Sequence, residues 1–450
     1  MSESPPDRRD GTDDPRPPRW TRAQAAGIER TPENVAPVVD PTDSDPAADL
    51  HVWDTWILRD RQGRIATVDG WRVLFSLTSS ADLLPGKRHD VATIRAFYSR
   101  DGVDWRGGDA VFDGDSLGQR QWAGSALYDD GDLYCYYTAA GNERAPELNY
   151  SQRIAVGYGG SIRGVADGVA VEGPWTHETL LEPGGKWYET EAQSRGMIYT
   201  FRDPWFFEDP ATGETYLLFE ANTPVAPESN VCGGNADQQE FNGSVGVARS
   251  PSGDPLDWTL EPPLLDAVCV NQELERPHVV VADGRYYLFV SSHEHTFAPG
   301  LGGYDGLYGF VADSFRGAYR PLNGTGLVVT NPASAPFQTY SWMAFAHRDE
   351  MLVQSFCNYR EFGGESLDGI AAFSEAEQHR RFGGTLAPTL RVAVTDDRTR
   401  IRGTLAHWRV PTEAEPLPDP DYRPPTDELG DAPSADRHGS GRWSYRYWDG

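Results

Sequence analysis

Short runs of apolar and aromatic residues, separated by turn-forming residues, recur along most of the chain. WRVLFSLT at 71–78 and TIRAFYS at 93–99 are rich in β-branched and aromatic side chains, which is typical of strands. Residues 125–139 and 279–292 each contain two such runs around an Asp-Gly pair, and residues 344–357 repeat the pattern without glycine. Because such turns join antiparallel strands, these segments predict β-hairpins.

Helical periodicity is weak, and residues 21–30 are the best candidate for a helix. Hairpins that recur without alternating helices predict an all-β fold, which could be a sandwich, a barrel or a propeller. No clean internal repeat is visible from which blades could be counted. Residues 1–45 and 413–450 are rich in Asp, Pro and Arg. We expect a largely disordered acidic tail at 1–45, one domain at 46–412, and a C-terminal tail at 413–450 that packs partly on the domain.

The chain is strongly acidic, with a formal net charge of −28, and only two of its 40 basic residues are lysines, Lys87 and Lys186. This charge argues against nucleic acid or an anionic membrane as a partner. An acidic surface indicates a halophilic protein, since high salt screens the repulsion between like charges. A GC-rich genome also replaces Lys with Arg, so the argument depends on the charge. No apolar run is long enough to span a membrane, and the N-terminus lacks the apolar stretch of a signal peptide.

Three acidic residues lie in aromatic or arginine-rich segments: Asp54 in HVWDTW, Asp203 in FRDPWFF and Glu275 in NQELERPHVV. Taken singly, each is more typical of a turn, a cap or a surface ion pair. Together they could cleave a glycoside with retention, which needs a nucleophilic carboxylate and a carboxylic acid about 5 Å apart. A propeller would allow this, because the first strands of its blades line one channel.

The sequence resembles glycoside hydrolase family 68, the levansucrases, inulosucrases and bacterial β-fructofuranosidases. The motifs that carry the resemblance follow the family's order: VWDTWILRDRQGRIATVDGWRVLFSL (52–77), QWAGSA (121–126), FRDPWFFED (201–209), YLLFEANT (216–223), ELERPHVV (273–280), HTFAPGLGGYDGLYGFV (295–311), PLNGTGLV (321–328) and QTYSW (338–342). The resemblance implies a five-bladed β-propeller with a central funnel-shaped pocket, and no cofactor.

By motif, the resemblance implies that Asp54 is the nucleophile, that Asp203 stabilises the oxocarbenium-like transition state, and that Glu275 is the acid/base. Glu275 must then be protonated before the reaction, and we expect repulsion from Glu273 to raise its pKa. The resemblance also implies a set of substrate-binding side chains, Trp53, Trp122, Arg202, Glu273, Arg276, His293 and Tyr340. Residues expected to support the pocket from behind are Ser125, Glu220 and Asn222.

Three positions depart from patterns that are common in the family. Ala123 replaces a serine that hydrogen-bonds the nucleophile in many members, and His293 stands where Gram-positive levansucrases carry an arginine. Gln272 replaces an aspartate of their calcium site, so we expect no structural metal. Some Gram-negative members form a disulfide through a cysteine at the position of Cys269. Cys232 is its expected partner here, and two free buried thiols are the alternative.

The resemblance implies a levansucrase-type fructosyltransferase that cleaves sucrose and passes fructose to sucrose, a growing β-fructan or water. A hydrolytic β-fructofuranosidase or an inulosucrase would share the first half-reaction and differ in the acceptor. A non-catalytic carbohydrate-binding propeller and a propeller hydrolase acting on arabinosides are alternatives from other classes. Because family members usually act where sucrose is found, we expect an extracellular enzyme, with a cytoplasmic location as the alternative and a monomer favoured.

Overall fold

The computed structural model describes residues 17–40, 45–112, 114–361, 367–412, 414–420, 422 and 426–433. Within this part of the chain the strands form five antiparallel sheets of four or five strands and one separate hairpin. The five sheets are the blades of a β-propeller. The all-β, five-bladed fold implied by the family resemblance is therefore confirmed.

The blades are numbered in chain order, and each is formed by strands that are consecutive in the chain, apart from the separate hairpin inserted in blade II. Blade I contains β1 (Leu50–Ile57), β2 (Thr67–Val68), β3 (Trp71–Ser80), β4 (Thr93–Ser99) and β5 (Arg106–Ala110). Blade II contains β6 (Arg120–Asp129), β7 (Asp132–Ala140) and β8 (Gln152–Tyr158); the separate hairpin of β9 (Ser161–Val165) and β10 (Gly168–Glu172) follows, and β11 (Thr176–Leu181) completes the blade. Blade III contains β12 (Phe201–Glu208), β13 (Thr215–Asn222), β14 (Gly243–Ser250) and β15 (Thr259–Asp266).

Blade IV contains β16 (Glu275–Ala282), β17 (Arg285–Ser292), β18 (Gly306–Ala312), β19 (Arg320–Pro321) and β20 (Leu327–Thr330). Blade V contains β21 (Thr339–His347), β22 (Glu350–Tyr359), β23 (Phe382–Leu386), β24 (Pro388–Thr395) and β25 (Arg398–His407). The described helices are short: α1 (Arg22–Ala25), α2 (Glu375–Arg381) and 3₁₀ segments at Pro85–Val91, Ala236–Glu240, Glu294–Thr296, Leu322–Gly324 and Leu367–Ala372. None of the helices described is long and apolar enough to cross a membrane.

The three predicted hairpins are confirmed as β6–β7, β16–β17 and β21–β22. Asp130 and Gly131 both have positive φ, 50° and 101°, as do Asp283 and Gly284, 50° and 72°. A two-residue turn of this kind needs positive φ at both positions, which explains the Asp-Gly signal. In the third hairpin Arg348 takes a φ of 55° without being glycine.

The first strand of each blade, β1, β6, β12, β16 and β21, lies at the centre of the propeller and contacts its neighbours there. Each of these inner strands carries one extra residue near its start. In β1, Trp53 pairs with Leu77 and Trp56 with Phe75. The chain therefore advances three residues along β1 while it advances two along β3. The same one-residue excess lies between Trp122 and Gly124 in β6, Arg202 and Trp205 in β12, Glu275 and His278 in β16, and Tyr340 and Met343 in β21. A bulge of this kind changes the direction of the side chains beside it.

The N-terminal segment differs from the prediction of a largely disordered tail up to residue 45. Trp20 is 1% exposed and packs edge-on against Phe297, and Val35 is fully buried. The polar composition of this segment was misleading, because a few apolar side chains are enough to anchor it. The helix predicted at 21–30 is limited to α1, since the chain leaves the helix just before Gly27, a poor helix former.

Two further tertiary contacts tie distant segments to the propeller. The hydroxyl of Tyr422, in the predicted C-terminal tail, donates a hydrogen bond to the carbonyl of Val35, whereas residues after 433 lie outside the described part of the chain. Cys232 and Cys269 form a disulfide between the segment after β13 and the segment after β15. Their pairing is the one that the resemblance implied.

Candidate active site

A cavity of about 160 Å³ lies at the end of the central channel where the inner strands begin. Two adjacent bulge positions of every inner strand line it: Trp53 and Asp54, Trp122 and Ala123, Arg202 and Asp203, Glu275 and Arg276, and Tyr340 and Ser341. A five-fold structural repeat therefore supplies ten side chains to one cavity. The three carboxylates that the sequence predicts to perform the chemistry are all among them.

The backbone is strained at four of these bulges. The angle φ lies between 45° and 62° at Asp54, Asp203, Arg276 and Ser341, although none of them is glycine. Such conformations cost about 1–3 kcal/mol each and persist where the surrounding structure holds them. Proline follows two of them, at Pro204 and Pro277, in the irregular part of the strand where a missing N–H removes no sheet hydrogen bond.

One buried arginine is shared by three glutamates. Arg202 donates from Nε to Glu220 at 2.7 Å and from Nη2 to Glu273 at 3.2 Å and Glu275 at 2.9 Å. Three carboxylates therefore share one guanidinium, and two of them, those of Glu220 and Glu273, are buried. Burial raises the pKa of Glu275 to about 7, and repulsion from Glu273 adds to this effect. The sequence predicted the repulsion, but burial is the larger cause.

Asp203 and Asp54 face the same cavity in different surroundings. The backbone N–H of Arg276 donates to Oδ2 of Asp203 at 3.1 Å, and the N–H of Asp203 donates to the hydroxyl of Thr138 at 2.8 Å. Burial raises the pKa of Asp203 to about 6; Arg202 opposes this, and the nearby carboxylate of Asp54 adds to it. The carboxylate of Asp54 makes no hydrogen bond with the part of the chain described, so both oxygens remain available to the cavity.

The other side of Glu275 is formed by two stacked rings. The hydroxyl of Tyr340 donates to Oε2 of Glu275. The imidazole of His293 stacks on Tyr340 with ring centres 3.7 Å apart and 10° between planes, and its Nε2 is 4.0 Å from Oε2 of Glu275. Both residues line the cavity, as the resemblance implied.

Two predicted site residues have contacts other than those expected. The guanidinium of Arg276 donates to the carbonyls of Thr55, at 2.6 Å, and Ser341, at 3.2 Å, so it ties β16 to β1 and β21. Ser125 does not support Asp54: its hydroxyl accepts from the N–H of Phe206 at 3.1 Å, and it lines a second cavity at the opposite end of the channel. Ser125 lies past the bulge of β6, which places it further along the channel.

The residues behind the cavity include Asn222 as well as Glu220. Asn222 accepts from the hydroxyl of Thr200 at 2.6 Å and donates to the carbonyl of Gln272 at 3.0 Å, which holds the backbone just before Glu273. Gln272 in turn donates to the carbonyl of Ile198 at 3.1 Å. No cluster of three potential metal ligands occurs among the residues described. That the protein needs no structural metal stays a prediction.

Several cavity residues were not predicted. His89 lies in the 3₁₀ segment Pro85–Val91, where its carbonyl accepts from the indole N–H of Trp122 at 3.0 Å and its ring packs against Trp53. Asp305 lies behind His293, with Oδ2 3.0 Å from Nδ1 of the imidazole. Its signal was present in the HTFAPGLGGYDGLYGFV motif, but a loop carboxylate between glycines is also typical of a turn. Besides His89, the unpredicted residues that line the cavity include Leu77, Arg88, Tyr150, Ile198, His295, Phe356 and Asn358.

The model of the glycoside hydrolase family 68, described as levansucrase/invertase, matches residues 12–406. The chain belongs to glycoside hydrolase family 68. As a member of this family it is a sucrose-cleaving fructosyltransferase.

Three proteins illustrate the similarity within family 68. The structure of an inulosucrase from Halalkalicoccus jeotgali bound to kestose is 64% identical, with a TM-score of 0.89, and the match covers 90% of this chain and 100% of that one. A levansucrase from Rahnella aquatilis is 35% identical over 426 residues, which are 87% of this chain and 96% of the relative. An extracellular sucrase from Zymomonas mobilis is 34% identical over 431 residues, 90% of this chain and 98% of the relative.

Proposed function

We propose that this enzyme cleaves sucrose with retention, through a covalent fructosyl-enzyme on Asp54. In the first half-reaction an oxygen of Asp54 bonds to C2 of the fructosyl unit while the bond from C2 to the glucosyl oxygen breaks. The electron pair of that bond goes to the glucosyl oxygen, which takes the proton of Glu275, and glucose leaves. The carboxylate of Asp203 stabilises the positive charge that develops on the fructosyl ring.

In the second half-reaction the carboxylate of Glu275 takes a proton from the acceptor hydroxyl. The acceptor oxygen then bonds to C2 while the ester bond to Asp54 breaks. The observation that carries this proposal is the convergence of Asp54, Asp203 and Glu275 on one cavity, where Glu275 is the one of these three that contacts Arg202, His293 and Tyr340 among the residues described. A pKa of Glu275 near 7 suits a group that must give a proton and later take one.

Sucrose and fructan chains are the proposed substrates, and two linkages are candidates for the product. Levan-type transfer is supported by relatives such as the levansucrase at 35% identity. Inulin-type transfer is supported by the inulosucrase bound to kestose, at 64% identity over its whole length, and is the linkage that we favour. Linkage analysis of any polymer formed distinguishes the two.

Incubation of the purified protein with sucrose, followed by separation of the sugars, tests the proposed function. We expect more free glucose than free fructose, with the difference recovered in kestose-like oligosaccharides or polymer. Equal amounts of glucose and fructose would assign the protein to hydrolysis. No consumption of sucrose would refute the proposal.

We also propose that the enzyme acts outside the cell at high salt. The net charge of −28 supports the salt adaptation, and the relative named an extracellular sucrase supports the location. Because salt screens repulsion among the acidic side chains, we expect unfolding by urea to need more denaturant as KCl is raised from 0.1 M to 2 M. A protein that is most stable and active without salt, and that precipitates in 2 M KCl, would contradict the salt adaptation.

A further inference from the structure

Asp305 is a buried carboxylate that the mechanism above does not use. Its side chain is fully shielded from solvent, and Oδ2 lies 3.0 Å from Nδ1 of His293. The other oxygen, Oδ1, accepts the backbone N–H of Glu294 at 2.9 Å. The carbonyl of Asp305 accepts the hydroxyl of Thr330 at 2.9 Å, which fixes the backbone. Both carboxylate oxygens and the backbone carbonyl of Asp305 therefore have hydrogen-bond partners, which fix the side chain in place.

The imidazole of His293 is equally fixed. One ring nitrogen faces Asp305, the ring lies flat on Tyr340, and the other nitrogen, Nε2, faces Glu275 and the cavity. The ring of His295 lies 5.1 Å away at 27°. With Nδ1 directed at a carboxylate and Nε2 at the proton donor of the reaction, the proton count of this histidine affects Glu275 directly.

We propose that Asp305 is a positioning residue that keeps His293 doubly protonated, so that His293 stands beside Glu275 as a fixed cation with one N–H directed into the cavity. This inference rests on the proposed function, because it takes Glu275 to be the acid/base. In this arrangement the N–H at Nε2 donates to a hydroxyl of the departing glucose or of the incoming acceptor.

The charges around the imidazole favour this state. Burial, the largest single effect, lowers the pKa of His293, but the charge and hydrogen bond of Asp305 together with the nearby glutamates outweigh burial and raise the pKa to about 9. The carboxylates of Glu275 and Glu273 act in the same direction. The charged and titratable groups that face His293 or act on it are Asp305, Glu275, Glu273, Tyr340, His295 and His89.

A cation at His293 changes the strength of the acid. Burial and Glu273 raise the pKa of Glu275, whereas Arg202 and His293 lower it. Without the positive charge on His293, Glu275 would hold its proton to a higher pH. Asp305 thereby sets, through His293, the pH at which the proton donor loses its proton.

The variant Asp305→Asn tests the proposal with little change of shape, because the amide oxygen can still accept from the N–H of Glu294. We expect the alkaline limb of kcat/KM for sucrose to move to higher pH by about half a unit or more, since His293 becomes neutral. We also expect kcat/KM at pH 6 to fall roughly 10- to 100-fold, as when the partner that orients a functional histidine is removed. A limb that stays in place while kcat/KM falls would mean a merely structural role and would overturn the proposal.

Asp209→Asn is the matched control. Asp209 is also buried and accepts a tyrosine hydroxyl, that of Tyr286, but it does not line the cavity. It should leave both the alkaline limb and kcat/KM unchanged. In a double-mutant cycle, Asp305→Asn should have no further effect on the limb once His293→Gln is present, because Asp305 acts through the histidine. Additive shifts of the alkaline limb by the two substitutions would contradict the proposal that Asp305 acts through His293.

A measurement on the unaltered protein keeps the proposal testable if Asp305→Asn fails to fold. The Cε1–H signal of His293, assigned by its loss in His293→Gln, should keep the chemical shift of a doubly protonated imidazole from pH 5.5 to 8, and the shift of a neutral imidazole throughout this range would overturn the proposal. A midpoint near 6.5 would overturn the proposal. Cleavage of sucrose together with such a midpoint would refute this inference alone, whereas absence of any sucrose cleavage would refute the proposed function.

Discussion

The two ends of the central channel are lined by the same five inner strands, yet they differ in charge and in backbone. At the end where the strands begin, the bulges turn three carboxylates of the proposed mechanism towards a cavity of about 160 Å³. At the other end, past the bulges, a cavity of about 200 Å³ is lined by apolar residues of the inner strands, such as Ile57, Val280 and Phe345, and by charged residues of the loop after β1, such as Arg61 and Arg64. On each inner strand, the bulge therefore separates the residues that line the candidate active site from those that line the far cavity.

The ion pairs at the two ends of the channel also differ. At the far end Arg61 lies 2.5 Å from Asp129 and 3.4 Å from Glu208, and Arg64 lies 2.8 Å from Asp60, all of them partly exposed. Pairs of this kind contribute about 0–1 kcal/mol to stability. At the active end one buried arginine is shared by three glutamates, of which Glu220 and Glu273 are buried and Glu275 is 19% exposed, so the carboxylates outnumber the guanidinium that they contact. An excess of buried carboxylates is poor for stability, but it provides a proton donor at neutral pH.

The largest expected effect separates the two ends by their aspartates. Asp54→Asn removes the proposed nucleophile and should lower kcat for sucrose by more than about 10⁴-fold. Asp60→Asn, in the loop at the far end, should leave kcat within about twofold, because Asp60 only pairs with Arg64. Initial rates of glucose release measure both. Activity of Asp54→Asn within tenfold of the original enzyme would remove Asp54 as nucleophile.

A smaller effect is expected from the glutamates. Glu275→Gln should slow glucose release from sucrose by roughly 10²- to 10⁴-fold, the contribution of general acid catalysis. Fructosyl fluoride, whose leaving group needs no proton, should lose much less of its rate with this variant. Glu208→Gln at the far end gives up a contact with Arg61 and should behave like the original enzyme with both donors. An equal loss with both donors would argue against Glu275 as the proton donor.

The excess of buried charge also predicts a pH dependence. The folded-state pKa of Glu275 is raised, to about 7, so the protonated form needed for the first half-reaction is present below pH 7 and is lost as pH rises through that value. We expect kcat/KM for sucrose to fall about tenfold per pH unit on the alkaline side. Because the carboxylates titrate together, the limb reports the cluster rather than one group. An alkaline limb that begins above pH 9 would contradict this assignment of the acid.

Much of the fold and the core of the site were predictable from the sequence, for physical reasons that differ. Asp-Gly pairs between apolar runs specify hairpins locally, so the strands were visible. Asp54, Asp203 and Glu275 were found through motifs, and their convergence followed from the propeller. The repeat of inner-strand bulges was hidden, because its equivalent positions carry Asp, Ala, Asp, Arg and Ser and share geometry rather than residue type.

Other site residues could not be placed from the sequence. Ser125 belongs to the same motif as Trp122, but two residues beyond the bulge it lines the far cavity. Arg276 follows Glu275 directly, yet its guanidinium binds carbonyls of neighbouring strands. Asp305 is close to His293 in the sequence, but only the fold shows that its carboxylate contacts the imidazole. Neighbours of a motif residue need not share its surroundings, because the bulge changes side-chain direction within two or three positions.

The smallest effect on activity, and the largest on stability, is expected at the far end of β21. Phe345 is 1% exposed and lines the far cavity, so Phe345→Ala should lower the free energy of unfolding by about 3–5 kcal/mol, the cost of an uncollapsed space in a core. Because the proposed catalytic groups lie at the bulges and Phe345 lies past them, kcat/KM of the folded fraction should change less than about threefold. Tyr340→Phe, five residues earlier on the same strand, is the matched variant. It keeps the ring under His293 but loses the hydroxyl that donates to Glu275, so it should lower kcat/KM while costing little stability. Urea unfolding together with sucrose turnover measures both variants. If Phe345→Ala lowered turnover as much as Tyr340→Phe did, the bulge would not separate residues that stabilise the fold from residues that act in catalysis.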